Sequence, residues 1–287
     1  MATIEVNGGT IAYEIFGEGQ PLVWNSGGRM ARSARDYLIA GYFAQRHSVL
    51  LWDRMNSEGA SDVRLSEAPS PTHADAEDLH AILETLDLGP AIVGGASAGC
   101  ALSLHMAHRY REDVSAILAI HPGSRDQSVR AQLSEGWYPL ADAAESGGMQ
   151  AAIDLSLNAY RKTIVREADR TLRRSAWLAR SIEASPTNRE RTLGLAPGRF
   201  ATMARRWGDT VQVGDGLSDH EIQSIEVPAL VISGSDALHP PDSATWLAGC
   251  LHAADAPIIE PPLSSASFPE QMAAHFPVID AFLREAV

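Results

Sequence analysis

The chain has 287 residues, of which 45% are hydrophobic and 21% are charged, and this composition suffices for a large core and excludes a disordered protein. The formal net charge is −13, and such a surface repels phosphate backbones and anionic lipid heads, so nucleic acid and a membrane are excluded as expected partners. The two cysteines, Cys100 and Cys250, match no metal-binding spacing, and we expect both thiols to be reduced.

The first third of the chain alternates short apolar runs with segments of helical periodicity. Strands are predicted at residues 4–6, 10–16, 21–24 and 48–52. The first two alternate apolar and polar residues around a hairpin signal, Asn7-Gly8-Gly9, whereas the other two are continuously apolar, as in strands buried on both faces. A helix is predicted around residues 35–45. Because the chain starts directly in a strand pattern, without a charged-then-apolar leader, we expect a cytoplasmic protein.

The next part of the chain continues this alternation. An acidic amphipathic helix is predicted at residues 72–88, a strand at 91–94, a helix at 98–110 and a strand at 114–120. This order of strands and helices predicts a parallel sheet with right-handed crossovers.

The middle of the chain, residues 124–220, shows helical periodicity and almost no strand signal. Strand patterns return at 228–233 and 257–259, and a final helix is predicted over 269–287. We interpret the helical segment as an insertion that covers the carboxyl edge of one sheet, where ligands bind in open α/β folds. The predicted division is therefore a first core part, a helical cap and a second core part, at residues 1–123, 124–222 and 223–287.

The predicted cap is rich in aromatic and basic side chains. Aromatic residues at helical spacing pack more often in a core than against a ligand, but some of these could form the apolar roof of a pocket. One of the arginines could bind a substrate carboxylate bidentately, while most would lie on solvated helix faces. The residues are Trp137, Tyr138, Met149, Tyr160, Trp177, Met203 and Trp207, and Arg173, Arg174, Arg180, Arg189, Arg191, Arg199, Arg205 and Arg206.

A turn of small residues, Gly95-Ala96-Ser97-Ala98-Gly99, joins a predicted strand directly to a predicted helix. Such a sharp turn forces Ser97 into strained backbone angles and brings its flanks together, so glycine suits positions 95 and 99. The hydroxyl is then exposed at a helix N-terminus, whose partial positive charge favours a developing oxyanion. This context predicts Ser97 as a covalent nucleophile, and a glycine-rich turn without chemistry is the alternative.

Several segments, in chain order, resemble the α/β-hydrolase family. They are Leu22 to Gly28, Trp52-Asp53-Arg54, Gly59-Ala60-Ser61-Asp62, Gly95 to Gly99, and Ile232 to Asp236. The resemblance covers nearly the whole chain. It implies an α/β fold with a mostly parallel sheet of about eight strands and a helical cap inserted after the sixth strand.

The resemblance also implies the roles of several residues. Asp236, which follows the predicted strand 228–233, would be the carboxylate that orients the catalytic base, with Asp126 as a substitute. The backbone amides of Ala98 and Gly28 would form the oxyanion hole, with Gly27 one position away. The alternative for the two glycines is a simple turn.

The general base that a serine nucleophile needs is missing from its expected position. Ser267 stands where the resemblance implies a histidine. Three explanations are open: His275 supplies the imidazole from a lengthened loop, His121 reaches the nucleophile from the end of the sixth strand, or no base exists. We expect His275 to be the base. We expect His121 to line the site from the end of the sixth strand. We expect His239 to line it as well, because it follows Asp236 too closely to be the base.

The expected function is that of a serine hydrolase, which cleaves a carboxylic ester or related acyl compound through a Ser97 acyl-enzyme without a cofactor or a metal. A carbon–carbon hydrolase of the meta-cleavage type is an alternative, because those enzymes share this fold and act on acidic substrates that suit a basic cap. A ligand-binding protein on a hydrolase scaffold is another, motivated by Ser267. The expected partner is a small, partly apolar molecule, and a homodimer is left open.

Overall fold

The computed structural model describes residues 1–165, 174–213, 216–251 and 268–286. The strands in these ranges are β1 (Ala2–Val6), β2 (Gly9–Phe16), β3 (Gln20–Asn25), β4 (His47–Trp52), β5 (Ala91–Ala96), β6 (Val114–Ile120) and β7 (Ala229–Ile232). They form one sheet of seven strands in the order β1-β2-β4-β3-β5-β6-β7. The pairs that involve β1 or β2 are antiparallel and the others are parallel. The strand predicted at 257–259 lies outside the described residues.

Helices cover both faces of this sheet. They are α1 (Ala34–Phe43), α2 (Pro71–Leu86), α3 (Ala98–Arg109), α4 (Gln127–Ser134), α5 (Tyr138–Val165), α6 (Trp177–Ala184), α7 (Thr187–Leu193), α8 (Pro197–Val213), α9 (Asp219–Gln223), α10 (Pro241–Cys250) and α11 (Phe268–Ala286). Helices α2, α3 and α10 pack on one face, and α1 and α11 pack on the other. This layering confirms the predicted α/β class with a mostly parallel sheet.

The central strands contain continuous apolar runs because both of their faces are covered. Val23 and Leu50 lie in the core on one face, and Leu22 and Leu51 lie in the core on the other. Successive side chains of a strand point to opposite faces, so a strand covered on both sides needs a continuous apolar run. Among the helices of the described ranges, none is both long and apolar enough to cross a membrane.

The helices α4 to α9 lie between β6 and β7 in the chain, as the predicted insertion requires. Most of them share a separate apolar cluster. In its centre, the ring centroid of Trp137 lies 5.5 Å from that of Trp177 and 5.3 Å from that of Trp207. All of these rings are buried, so the aromatic residues form the core of the insertion. The proposed boundaries of the cap at 124 and 222 stay a prediction.

Candidate active site

Ser97 occupies a sharp turn between β5 and α3, as its sequence context predicts. Its backbone angles are φ 57° and ψ −115°, which are strained for any residue with a side chain. A Cβ added at Gly95 would lie 2.5 Å from the carbonyl carbon of Gly99, and one added at Gly99 would overlap the backbone oxygen of Asn25. The glycines therefore allow both the turn itself and the close approach of β3.

The side chain of Ser97 is hydrogen-bonded to a histidine that a carboxylate holds from the other side. The Nε2 atom of His239 lies 2.9 Å from Ser97 Oγ, and its Nδ1 atom lies 3.1 Å from Oδ1 of Asp236. The histidine side chain is 20% exposed and the aspartate side chain is 62% exposed. This continuous chain of polar groups can pass a proton from the hydroxyl to the imidazole.

Asp236 and His239 belong to one tight turn after β7. The carboxylate Oδ1 of Asp236 accepts hydrogen bonds from the backbone amides of Leu238, at 2.7 Å, and of His239, at 3.0 Å. The amide of His239 also donates to the backbone oxygen of Asp236, at 3.0 Å. The chain folds back here and brings His239 close to Gly234. A Cβ at Gly234 would lie only 2.5 Å from the backbone oxygen of His239, so the turn requires glycine at this position. This turn brings an acid and a base that are neighbours in sequence to the same serine.

The charge of Asp236 is set by competing effects. Burial alone would raise the pKa of its carboxyl, but the adjacent His239 and the amides of Leu238 and His239 outweigh it, and the pKa lies below its usual value. The carboxyl is therefore ionised at neutral pH. An ionised acceptor beside Nδ1 favours the tautomer whose Nε2 is free to accept the Ser97 proton.

The structure differs from the sequence prediction in the histidine that contacts Ser97. His275 is fully buried on α11, and neither of its ring nitrogens has a hydrogen-bond partner among the described residues. Burial lowers the pKa of His275. Its ring centroid lies 6.3 Å from that of His121, which in turn lies 6.2 Å from that of His239. His239, and not His275 or His121, is thus the histidine that is hydrogen-bonded to Ser97. Ser267 lies outside the described residues.

The reason for this difference is the turn after β7. A spacing of three residues separates a histidine from its aspartate too little for this contact only if the chain between them is extended. In the folded-back turn, the His239 ring lies over Asp236 and reaches the serine. The signal that could have revealed it is Gly234 before the aspartate and Pro240 after the histidine, both of which favour a tight turn.

The loop after β3 lies against the Ser97 turn. A Cβ at Gly27 would lie 3.2 Å from the backbone oxygen of Ala96 and 3.5 Å from Ser97 Cβ, so this glycine lets the two loops touch. Gly28 has φ +55°, and Gly28, Ser97 and Ala98 all line one cavity. The predicted oxyanion-hole residues are therefore neighbours of the nucleophile.

A buried arginine of the Trp52-Asp53-Arg54 segment, for which the sequence predicts no role in the site, holds this loop. Arg54, 3% exposed, donates from Nη2 to the backbone oxygens of Ser26, at 2.9 Å, and of Gly28. Burial is the main influence on Arg54 and lowers its pKa to about 10, so it keeps its charge at neutral pH. The buried carboxylate of Asp75 lies 3.6 Å away and also pairs, more closely, with Arg29. The guanidinium of Arg54 therefore ties the loop at Gly28 to the end of β4 through these two hydrogen bonds.

The cavity in front of Ser97 has a volume of about 410 Å³, which suits a small organic molecule. Its wall combines polar and apolar surface in similar amounts, and α4 and α9 contribute to it together with α3 and α10. Among the described residues, no group of three or more histidine, cysteine, aspartate or glutamate side chains could hold a metal ion. The polar groups that converge on the cavity beside Ser97 suit acyl transfer.

Comparison with known proteins places the chain in a family. The sequence profile of the alpha/beta hydrolase family matches residues 19–281. An enol-lactonase from Burkholderia xenovorans is 20% identical, with 99% of this chain and 100% of that chain covered and a TM-score of 0.63. A thermophilic esterase from Thermogutta terrifontis is 21% identical, with 99% and 97% covered and a TM-score of 0.64. A meta-cleavage product hydrolase, CumD, is 20% identical, with 99% and 98% covered and a TM-score of 0.63.

At these identities the structural likeness shows a common fold. A comparison with curated protein sequences gives no match. The matched residues extend from the loop before β3 into α11, and they include the strand–turn–helix unit of Ser97. The resemblance predicted from the sequence is confirmed, and the chain belongs to the alpha/beta hydrolase family of enzymes.

Proposed function

We propose that this chain is a serine hydrolase that cleaves a carboxylic ester or a related acyl compound through an acyl-enzyme on Ser97. The observation that carries this proposal is the 2.9 Å contact between Ser97 Oγ and His239 Nε2. In the proposal, His239 is the general base and Asp236 orients it. Gly28 and Ala98 supply the amides that bind the oxyanion.

The reaction follows from this arrangement. Ser97 Oγ attacks the carbonyl carbon of the substrate while its proton moves to Nε2 of His239. The negative charge on the carbonyl oxygen is stabilised by backbone amides and by the N-terminus of α3. The proton then passes to the leaving alcohol as the carbon–oxygen bond breaks. Water then gives a proton to His239 and attacks the acyl carbon, and His239 returns this proton to Ser97 Oγ as the acid leaves.

The position of His239 favours an enzyme over a ligand-binding protein. The binding hypothesis was motivated by Ser267, which stands where a catalytic histidine is expected. A histidine from another loop already contacts the nucleophile, so catalysis does not require one at position 267. The cap boundaries, the cytoplasmic location and the homodimer stay predictions.

The experiment is turnover of p-nitrophenyl valerate together with labelling by a fluorophosphonate, which reacts with activated serines. Ser97→Ala is expected to reduce turnover to the uncatalysed rate and to abolish labelling. Ser146→Ala is the matched control, because Ser146 is an exposed serine on α5, and it is expected to retain both. Unchanged turnover in Ser97→Ala would refute the assignment.

A further inference from the structure

The cavity in front of Ser97 carries an excess of positive charge, although the protein as a whole has a net charge of −13. Of the described residues that line it, Arg125 and Arg130 are cationic and Asp219 is anionic. Both arginines follow β6, which ends beside the site. A local positive field inside an acidic protein is favourable for an anionic ligand.

These arginines differ in position from the basic residues that the sequence suggested. Arg180, Arg199 and Arg205 form ion pairs with carboxylates at 3.1, 2.7 and 2.6 Å, respectively. None of these three is among the residues that line the cavity of Ser97. A charged group of the substrate would therefore meet the arginines after β6.

Arg125 is held in a way that leaves it able to bind a ligand. Its guanidinium carbon lies 3.7 Å from the ring centroid of Trp246. A contact of this kind uses the face of the guanidinium, whereas its N–H donors point outwards along the edge. Its contacts with both carboxylate oxygens of Asp219 are 3.4 Å long, longer than a usual charged hydrogen bond. A carboxylate that fits the edge of the guanidinium can compete with this loose pair.

We propose that Arg125, assisted by Arg130, binds a carboxylate of the substrate, so that the enzyme prefers esters that carry a negative charge on the acyl part. The apolar wall around Leu104 and Leu133 suits a short hydrocarbon chain between the carboxylate and the scissile carbonyl. A planar guanidinium binds a carboxylate through two parallel hydrogen bonds, which fixes the position of the acyl chain. This inference rests on the proposed serine hydrolase activity.

Two chromogenic esters with acyl chains of equal length test the proposal. Mono-p-nitrophenyl glutarate carries a carboxylate, and p-nitrophenyl valerate does not. Arg125→Gln is expected to lower the ratio of kcat/KM for the anionic ester to that for the neutral ester by about tenfold or more. Arg125→Lys keeps the charge without the fork and is expected to give an intermediate ratio. Arg199→Gln removes the same charge outside the cavity and is the matched control.

Several outcomes would overturn the proposal. An unchanged ratio in Arg125→Gln and in the double variant with Arg130→Gln refutes the carboxylate site and leaves the hydrolase assignment standing. An equal fall of the ratio in the Arg199→Gln control refutes it as well. Failure of both turnover and fluorophosphonate labelling removes the proposed function and this inference with it.

Labelling decides the case in which Ser97 reacts with the fluorophosphonate but neither ester is cleaved. Protection of Ser97 by glutarate that Arg125→Gln weakens supports the proposal, and an absence of protection refutes it. Melting temperatures of all variants show whether each is folded. Arg130→Gln alone serves as the second variant if Arg125→Gln does not fold, and an unchanged ratio or unchanged protection then refutes the proposal.

Discussion

His239 and Ser97 are 142 positions apart in the chain, and their side chains form a 2.9 Å hydrogen bond. The histidine comes from the same turn as the carboxylate that holds it. One short loop after β7 thus supplies both partners of the serine. The proposed base consequently depends on the conformation of this turn, which can be tested away from the reacting atoms.

Gly234 is the position where this dependence is most direct. A methyl group added there would meet the backbone oxygen of His239 at 2.5 Å, so Gly234→Ala is expected to shift the histidine away from Ser97. A displacement of this size should lower kcat/KM for p-nitrophenyl valerate by about tenfold to a hundredfold. The measurement is steady-state kinetics, together with a melting curve that shows the variant is folded.

Gly249→Ala is the matched control for this change. A Cβ at Gly249, on α10, meets nothing within 4 Å, so activity is expected to be retained. Alanine in place of a helical glycine should raise the free energy of unfolding by roughly 0.5–1 kcal/mol. Wild-type kinetics in Gly234→Ala would show that His239 does not depend on the turn as described.

Arg54 is expected to be a positioning residue for the loop at Gly28. Arg54→Met removes the donors to the backbone oxygens of Ser26 and Gly28, so the oxyanion amide loses its fixed position. We expect kcat to fall by about tenfold or more, with a smaller effect on KM. Stability should fall as well, by about 1–3 kcal/mol, because the oxygens of Ser26 and Gly28 lose a buried donor, while Asp75 keeps its ion pair with Arg29.

The kinetic part of this prediction separates positioning from a purely structural role. Arg54→Lys keeps a cation near Asp75 and is expected to recover part of the stability and part of kcat. Urea unfolding gives the free energy of unfolding, and the rate of fluorophosphonate labelling gives the reactivity of Ser97. If Arg54→Met is destabilised but labels Ser97 at the wild-type rate, the loop does not depend on this arginine.

The buried His275 and the half-buried His121 predict that acid destabilises the fold. Burial lowers the pKa of His275; burial, followed by the neighbouring His239 and His275, lowers the pKa of His121 to about 4. An unfolded histidine titrates near ~6.5. Below that pH the unfolded chain binds more protons than the folded chain. The stability that these neutral histidines contribute is therefore complete above pH ~6.5. It is lost as the pH falls towards their pKa in the folded state.

His275→Leu tests this prediction. The variant removes a buried ring whose nitrogens have no partner among the described residues, so it should be more stable at neutral pH by about 1 kcal/mol. Its free energy of unfolding should also fall less steeply than that of the wild type as the pH falls below ~6.5, the pKa of an unfolded histidine. Equal slopes for the two proteins would show that His275 is not a neutral buried group in the folded state.

The fold and the nucleophile turn could be predicted because their signals are local. The continuous apolar runs in β3 and β4 follow directly from burial on both faces. The glycines at 95 and 99 follow from the space around one turn. In both cases, a few adjacent residues carry the whole constraint, and no knowledge of distant contacts is needed.

The partner of Ser97 could not be predicted in the same way. The position of His239 depends on how the turn after β7 closes, and linear spacing from Asp236 gave the wrong impression of its reach. The role of Arg54 likewise depends on two loops that meet at the edge of the sheet. The cavity arginines carry no local sequence signal for a similar reason, since α9 and α10 bring Asp219 and Trp246 to Arg125 only in the folded chain.

The most direct test of the central claim compares kcat/KM for p-nitrophenyl valerate in His239→Ala and in His275→Leu. The proposed arrangement predicts that His239→Ala lowers kcat/KM by about 10²- to 10⁴-fold, the usual contribution of a general base. It predicts that His275→Leu, whose ring makes no hydrogen bond among the described residues, stays near the wild-type value. An active His239→Ala beside an inactive, folded His275→Leu would contradict it and return the base to α11.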